Sequence, residues 1–308
     1  VDVPRIAYFG PQGTFTEQAA RALVHPDRDE LVPADTVPAA VAAVRAGEAD
    51  AACVPVENSV EGAVPATMDA LATGEPVVAV AETVLPVRFS VLVRPGTPVA
   101  EIRTVTSHPH ALAQVRDWLA THLPRAETIA STSTAAAAVA VRRGQYDAAV
   151  TAPVAVEHYP LDVLATNVAD VADAATRFLL VRRPGPLPAP TGSDRTSIVA
   201  VAADRVGALA EMLTELALRG INLTRIESRP TKERLGEYRF FLDLVGHVAE
   251  QRVGDALAAL RRRCLHVRFL GSYPTAERIS TAVPPSAVDA EFDRAAGWLA
   301  AVRRGETG

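Results

Sequence analysis

Two stretches of the chain repeat one another without a gap: Thr36–Cys53, TVPAAVAAVRAGEADAAC, and Ser133–Val150, STAAAAVAVRRGQYDAAV. Val44-Arg45 falls on Val141-Arg142, Gly47 on Gly144, and Asp50-Ala51-Ala52 on Asp147-Ala148-Ala149. In each copy the alanine- and valine-rich run reads as a helix, the glycine as its stop, and the apolar residues beyond as a buried strand. Two copies imply two similar α/β lobes. A ligand then belongs in the cleft between them, where helix starts and loops converge.

Ahead of the first copy, Ile6–Phe9 reads as a strand, Gly10-Pro11-Gln12-Gly13 as a turn, and the residues after it as a helix whose Thr14 and Glu17 have the spacing of a capping box. Free amides and the positive end of the helix dipole make this junction a place for a carboxylate or phosphate, although a plain strand-to-helix turn has the same pattern. Between the copies, the valine-rich stretch Thr83–Arg94 is expected to cross from one lobe to the other, with a return near Asp162–Arg182. The first lobe is thus expected at about 1–83 and 162–183, and the second at about 84–161.

The prolines and glycines of 184–194 suit an extended linker. Beyond it the pattern restarts: strand Thr196–Ala202, helix Gly207–Leu218, strands Ile221–Arg229 and Gly236–Val245, helix Arg252–Arg263, strand Val267–Tyr273. The order βαββαβ over 195–274 is that of a ferredoxin-like α+β sandwich with helices on one sheet face. A tail, 275–308, is expected to hold one helix around Ala287–Val302.

Composition narrows the function. A chain of 308 residues with net charge −5 and no long basic run lacks the electrostatic footprint of a nucleic-acid or anionic-membrane binder, leaving small molecules and copies of itself as partners. The two cysteines, Cys53 and Cys264, sit in apolar runs and make neither a disulfide framework nor a metal site. No apolar stretch reaches bilayer-spanning length, and with so few cysteines the cytoplasm is the expected compartment.

Five motifs, in order along the chain, carry a family resemblance: Gly10-Pro11-Gln12-Gly13-Thr14-Phe15; Pro55-Val56-Glu57-Asn58-Ser59-Val60-Glu61-Gly62; Ser107-His108-Pro109 with Ala111-Leu112; Ser133-Thr134-Ala135; and Thr176-Arg177-Phe178. Together they resemble the prephenate dehydratases. His110 departs from the pattern by standing where many relatives carry glutamine, and Thr16 by standing where serine is common. The resemblance implies a catalytic region, 1–183, like the two-lobed type II solute-binding proteins, and a following module similar to an ACT domain. It implies conversion of prephenate to phenylpyruvate with loss of water and carbon dioxide, with no cofactor and no metal. Arogenate dehydratase and a non-catalytic aromatic-acid binding protein are the alternative functions.

On this resemblance Thr176 donates a hydrogen bond to the departing hydroxyl. Arg177 grips a carboxylate or makes a structural ion pair, and Phe178 shapes an apolar wall or packs in the core. Asn58 and Ser59 project into the cleft, while Glu57 holds its loop or relays a proton. Thr14, Ser107, Ser133 and Thr134 belong to the substrate site, the last two as anion donors or as plain helix caps. His108 carries a proton or fixes its loop. The resemblance also implies that phenylalanine, as effector, binds between two ACT modules near Gly207, Ala208, Leu209, Asn222, Leu223, Glu227 and Ser228, so that a homodimer or a dimer of dimers is expected.

Overall fold

The structure, a computed structural model, describes residues 3–25, 28–232, 236–277 and 282–306. The expected tail segment from Ser280 and the terminal residue Gly308 begin and end outside the described residues. The chain divides into two compact units, the first formed by 1–77 and 82–183, the second by 78–81 and 184–308.

The elements of the first unit are β1 (Arg5–Phe9), α1 (Phe15–Leu23), β2 (Glu30–Ala34), α2 (Val37–Ala46), β3 (Ala51–Asn58), β4 (Gly62–Ala63), α3 (Pro65–Ala72), β5 (Val78–Pro86, whose first residues cluster with the second unit), β6 (Ser90–Val93), β7 (Thr104–Ser107), α4 (Pro109–Ala113), α5 (Arg116–His122), β8 (Glu127–Ala130), α6 (Thr134–Arg142), β9 (Ala148–Thr151), α7 (Ala155–His158), β10 (Asp162–Thr166) and β11 (Ala175–Arg182). Two sheets organise them. In lobe 1, β1 lies parallel between β2 and β3, and β11 runs antiparallel on the far side of β3. In lobe 2, β7 lies parallel between β8 and β9, and β6 runs antiparallel on the far side of β9. The two lobes share one plan.

The sequence echo is the local cause of that plan. Thr36 and Ser133 cap α2 and α6 by accepting from the amides of Ala39 (3.1 Å) and Ala136 (2.9 Å). Gly47 and Gly144 end the helices at φ of 80° and 75°, left-handed values that glycine reaches without a Cβ penalty. The echoed aspartates do matching work: Asp50 accepts from the amide of Arg5 where β1 begins (2.8 Å), and Asp147 from those of Arg103 and Thr104 where β7 begins (2.9 and 3.0 Å). Each ties its returning strand to the start of the neighbour it runs parallel to. Beyond the aspartates β9 is buried throughout, because helices cover both faces of its sheet: Val91, Val105 and Val150 pack toward Val115 and Leu119, and Leu92 and Ala149 toward Ala138 and Val141.

Two expected boundaries move. The outward crossing is not one strand over Thr83–Arg94; β5 ends at Pro86, and residues 87–89 make the passage before β6 starts a different sheet. The return is also later than expected, because β10 pairs antiparallel with β6 and so belongs to lobe 2. Only 167–174 cross back. The two passages are bonded side by side, Val87 N–H to Ala174 C=O (2.7 Å) and Val168 N–H to Phe89 C=O (3.1 Å).

In the second unit the elements are β12 (Asp194–Val201), α8 (Ala208–Ala217), β13 (Leu223–Pro230), β14 (Tyr238–Val245), α9 (Gln251–Arg263), β15 (His266–Pro274) and α10 (Asp289–Arg303). The antiparallel sheet has the order β13-β14-β12-β15. Ile198, Ala200, Leu242 and Leu244, at alternate strand positions, meet Met212, Leu216, Val253, Ala256 and Leu260 of the two helices. This is the expected ferredoxin-like sandwich. Burial pushes the thiol of Cys53 up, and that of Cys264 to a lesser degree, which keeps both in the protonated form of a small hydrophobe.

Residues 78–81 join this unit through Ala79, which pairs with Gly271. Gly271 has φ of 141°, and a Cβ there would lie 2.3 Å from the Ala79 carbonyl oxygen. Gly271→Ala should therefore cost about 2 kcal/mol or more in a denaturant titration, since backbone must move on both sides; an unchanged midpoint contradicts this packing.

Candidate functional site

Between the lobes lies a cavity of about 200 Å³. Lobe 1 lines it with Phe9, Thr14, Phe15 and Thr16 from the β1–α1 junction, with Asn58 from the end of β3, and with Thr176 from the start of β11. Lobe 2 contributes His108, His110, Ala111 and Gln114 around α4, and Thr132, Ser133 and Thr134 at the start of α6. Val87 and Phe89 of the outward passage close one wall, where Phe89 meets Phe15 edge to face with ring centres 5.4 Å apart.

Two helix starts, one from each lobe, face this cavity. The first amides of a helix have no partner inside it and carry the positive end of its dipole. At α1 the Thr14 hydroxyl is committed at both ends, donating to the Phe9 carbonyl (3.0 Å) and accepting from the Glu17 amide (3.3 Å). The expected reciprocal contact shifts by one residue: Glu17 takes the amide of Gly13 (2.5 Å). At α6 the Ser133 oxygen accepts from Ala136, which leaves its proton for the cavity. Among the described residues the lining holds no lysine or arginine, and the polar groups it offers are amides, hydroxyls and imidazoles.

Asn58 sets the direction of the Thr176 hydroxyl. Its Oδ1 accepts from the amides of Val60 (2.8 Å) and Glu61 (3.0 Å), which fixes which end of the side chain is oxygen. Its Nδ2 then donates to Thr176 Oγ1 at 2.8 Å. The Thr176 oxygen thus receives a hydrogen bond, and its own proton is directed toward another acceptor. Thr176 also borders the cavity.

Five residues expected at the site stand behind it instead. Arg177, next to Thr176 on β11, points to the other side of the strand, 8% exposed, with its guanidinium 3.4 Å from Glu82 and 3.7 Å from Glu57. Arg177 thus lies within ion-pair distance of two carboxylates, as a structural ion pair, one of its two expected roles, would require. Phe178 is core, packed with Tyr8, Ala19 and Cys53. Ser59 exchanges bonds with Ala175, its amide donating to the carbonyl and its hydroxyl accepting from the amide (both 2.9 Å), and so pins the start of β11. Ser107 is fully buried and donates to the Val150 carbonyl (2.6 Å), tying β7 to β9.

Thr14, Asn58, His108, Ser133, Thr134 and Thr176 are the expected residues that the fold brings together. Others were missed. Ala111 and Gln114 follow His108 at steps of three, the interval that shares a helix face, so a periodicity signal was present. Gln114 is 7% exposed and its Oε1 has no partner among the described residues. Phe89 gave no local signal; an apolar residue in a valine-rich run becomes a cavity wall only through the passage between lobes.

The family profile described as prephenate dehydratase matches residues 6–186, and that described as ACT domain matches 196–262. A curated prephenate dehydratase of Amycolatopsis methanolica is 68% identical over 98% of this chain and 99% of its own length. A crystal structure of prephenate dehydratase from Arthrobacter aurescens in complex with L-Phe is 44% identical, covers 97% of this chain and 99% of that one, and superposes with a TM-score of 0.92. Further off, at 31% identity, is a structure described as GqqA, a novel type of quorum quenching acylase, with a TM-score of 0.79 over 88% of this chain and 98% of that one.

The histidine pair offers a direct check on the electrostatics. Burial first, and then the neighbouring His110, hold the His108 imidazole below the usual histidine range, against an opposing pull from Glu61. In an NMR titration His108 should lose its proton below about pH 6.5, His110→Gln should move that midpoint up, and Glu61→Gln should move it further down. Because the folded state disfavours protonated His108, stability is lost as pH falls from about 6.5 toward the folded midpoint.

Proposed function

The chain belongs to the prephenate dehydratase family and is a carbon–oxygen lyase that converts prephenate to phenylpyruvate; from that premise we propose that the Thr176 hydroxyl, aimed by Asn58, is the hydrogen-bond donor to the departing ring hydroxyl. As the bond to the ring carboxylate breaks, its electron pair moves through the ring to the far carbon and expels the hydroxyl, which takes up one proton and leaves as water beside carbon dioxide. The aromatic product supplies the driving force. The protein's task is to hold the dianion, meet the charge developing on the leaving oxygen, and keep water out.

The observation that carries this assignment is the polarity of the Asn58–Thr176 bond. An alcohol is too weak an acid to give up its proton outright, but a hydroxyl polarised by a donor at its oxygen serves as a preorganised donor where charge accumulates. The two helix starts and the Ser133 and Thr134 hydroxyls are assigned to the substrate carboxylates, and Phe15 and Phe89 to the ring. His108, in the same cavity, accepts the His110 amide through Nδ1 (3.3 Å) and is assigned to fix its loop, the proton that the leaving group finally takes being drawn from solvent. The substrate is assigned as prephenate rather than arogenate, after the names of the curated relatives.

In the second unit we assign phenylalanine to the start of α8. Gly207 caps that helix at φ of 82°, with Ala208 and Leu209 as its first residues, and the amides there suit the effector's carboxylate. Leu223, Glu227 and Ser228 lie on β13, an edge strand of the sheet, with Asn222 just before it. The effector's other contacts come from there across a homodimer, which two such dimers extend to a tetramer. Among the described residues no helix is long and apolar enough to cross a membrane, and the assigned compartment is the cytoplasm.

Purified protein mixed with prephenate should release phenylpyruvate, read by its absorbance in alkali, and added L-phenylalanine should change the rate; absence of product overturns the assignment. Thr176→Ala should lower kcat by about 10²- to 10³-fold with KM nearly unchanged, the signature of an interaction made in the transition state. Asn58→Asp should fall as far, because a carboxylate accepts the Thr176 proton and turns it away from the substrate. Gly207→Ala should weaken the response to phenylalanine by about ten-fold and leave turnover in its absence unchanged, since a Cβ strains this left-handed position.

A further inference from the structure

Glu17 is 2% exposed and has no part in the chemistry above. Its carboxylate gathers donors from both lobes: the Gly13 amide and Arg21 in lobe 1, and His158 Nε2 of α7 in lobe 2, at 2.8 Å. A carboxylate only accepts, so the shorter contact, to Glu17, is a hydrogen bond when Nε2 of His158 carries the proton; Arg21, which only donates, lies 3.1 Å from the same nitrogen. Arg21 extends the cluster to Glu157 of α7 (2.6 Å), and the Tyr159 hydroxyl donates to the Gln12 carbonyl (2.7 Å). Fit accompanies charge, since a Cβ on Gly13 would come within 3.0 Å of the Tyr159 ring and 3.2 Å of Ala155 Cα.

Every lobe 1 partner in this cluster belongs to the β1–α1 turn or to the first two turns of α1, and the residues next in the chain after Gly13 line the cavity. Burying a carboxylate between two bodies is costly, and such a cluster does more to select one arrangement of them than to raise stability. A hinge that only had to open and close would need no such contact.

We propose that Glu17 and His158 are positioning residues, a latch that holds the two lobes at the working width of the cleft before substrate arrives. The proposal rests on the dehydratase assignment. With the latch intact, the helix starts of α1 and α6 already face each other and binding need not draw the lobes together. With it broken, only a fraction of the molecules present the assembled cleft, and the apparent affinity falls by that fraction while the saturated enzyme works as before.

The test is steady-state turnover of prephenate by the full chain, comparing wild type with His158→Ala and His158→Gln. His158→Ala should raise KM by about ten-fold, the scale of a lost charge-assisted hydrogen bond, with kcat within about two-fold. His158→Gln, whose amide still donates to Glu17, should recover most of the wild-type KM. A residue serving stability alone would lower kcat per mole of total protein and leave KM unchanged; that result, or an unchanged KM and kcat in His158→Ala, overturns the latch. Should His158→Ala not fold, Glu157→Gln severs only the exposed Arg21 arm and should raise KM about three-fold, with no change again overturning the proposal. Wild-type protein that leaves prephenate untouched would instead remove the dehydratase assignment on which the latch depends.

Discussion

A carboxamide has one accepting end and one donating end, and Asn58 has both committed: oxygen to the amides of Val60 and Glu61, nitrogen to the hydroxyl of Thr176. The loop after β3 thereby decides which way a proton points on β11. The surrounding structure serves to keep that bond in place. Ser59 pins the first residue of β11, the Arg177 ion pairs with Glu57 and Glu82 brace the strand from behind, and Phe178 anchors it in the core. A motif that reads as three catalytic residues in a row is, in space, one residue at the cavity and two that hold it there.

Having no lysine or arginine at the cavity wall among the described residues suits a reaction in which a dianion must lose a carboxylate. A guanidinium locked on the departing carboxylate would stabilise the starting state as much as the transition state and so gain nothing in kcat. In the proposed reading, helix starts and hydroxyls supply a softer field, spread over both lobes, that orients the anion without clamping it. The duplicated plan provides this economically: each lobe brings one helix start to the shared cleft, and the matched pair Asp50 and Asp147 shows that the same local solution was used in both.

Much of this was legible in the sequence because its causes are local. Caps, helix-ending glycines and the strands after them follow from a few neighbouring residues, which is why Thr36–Cys53 and Ser133–Val150 declared two α/β lobes and why the βαββαβ order of the second unit could be read directly. What failed was non-local. Residues 162–166 look like part of the return passage until their pairing with β6 is known, and no pattern within them announces it. Arg177 could be placed behind the cavity only by following strand parity outward from Thr176, while Phe89 reaches the wall through the path of the chain between lobes. Ser59 and Ser107 show the opposite limit, since their motifs mark hydroxyls that matter without saying whether they face a ligand or the backbone.

The most direct test of the account is a crystal structure of the slowed Thr176→Ala variant briefly soaked with prephenate, compared with wild type holding a non-reactive ring analogue that keeps the hydroxyl. The account predicts the ring against the wall formed by Phe15 and Phe89, the carboxylates at the starts of α1 and α6, and, in wild type, the ring hydroxyl about 2.8 Å from Thr176 Oγ1, with Asn58 still donating to that oxygen. A ring hydroxyl that faces away from Thr176, or an Asn58 that has turned its amide to the substrate, contradicts it.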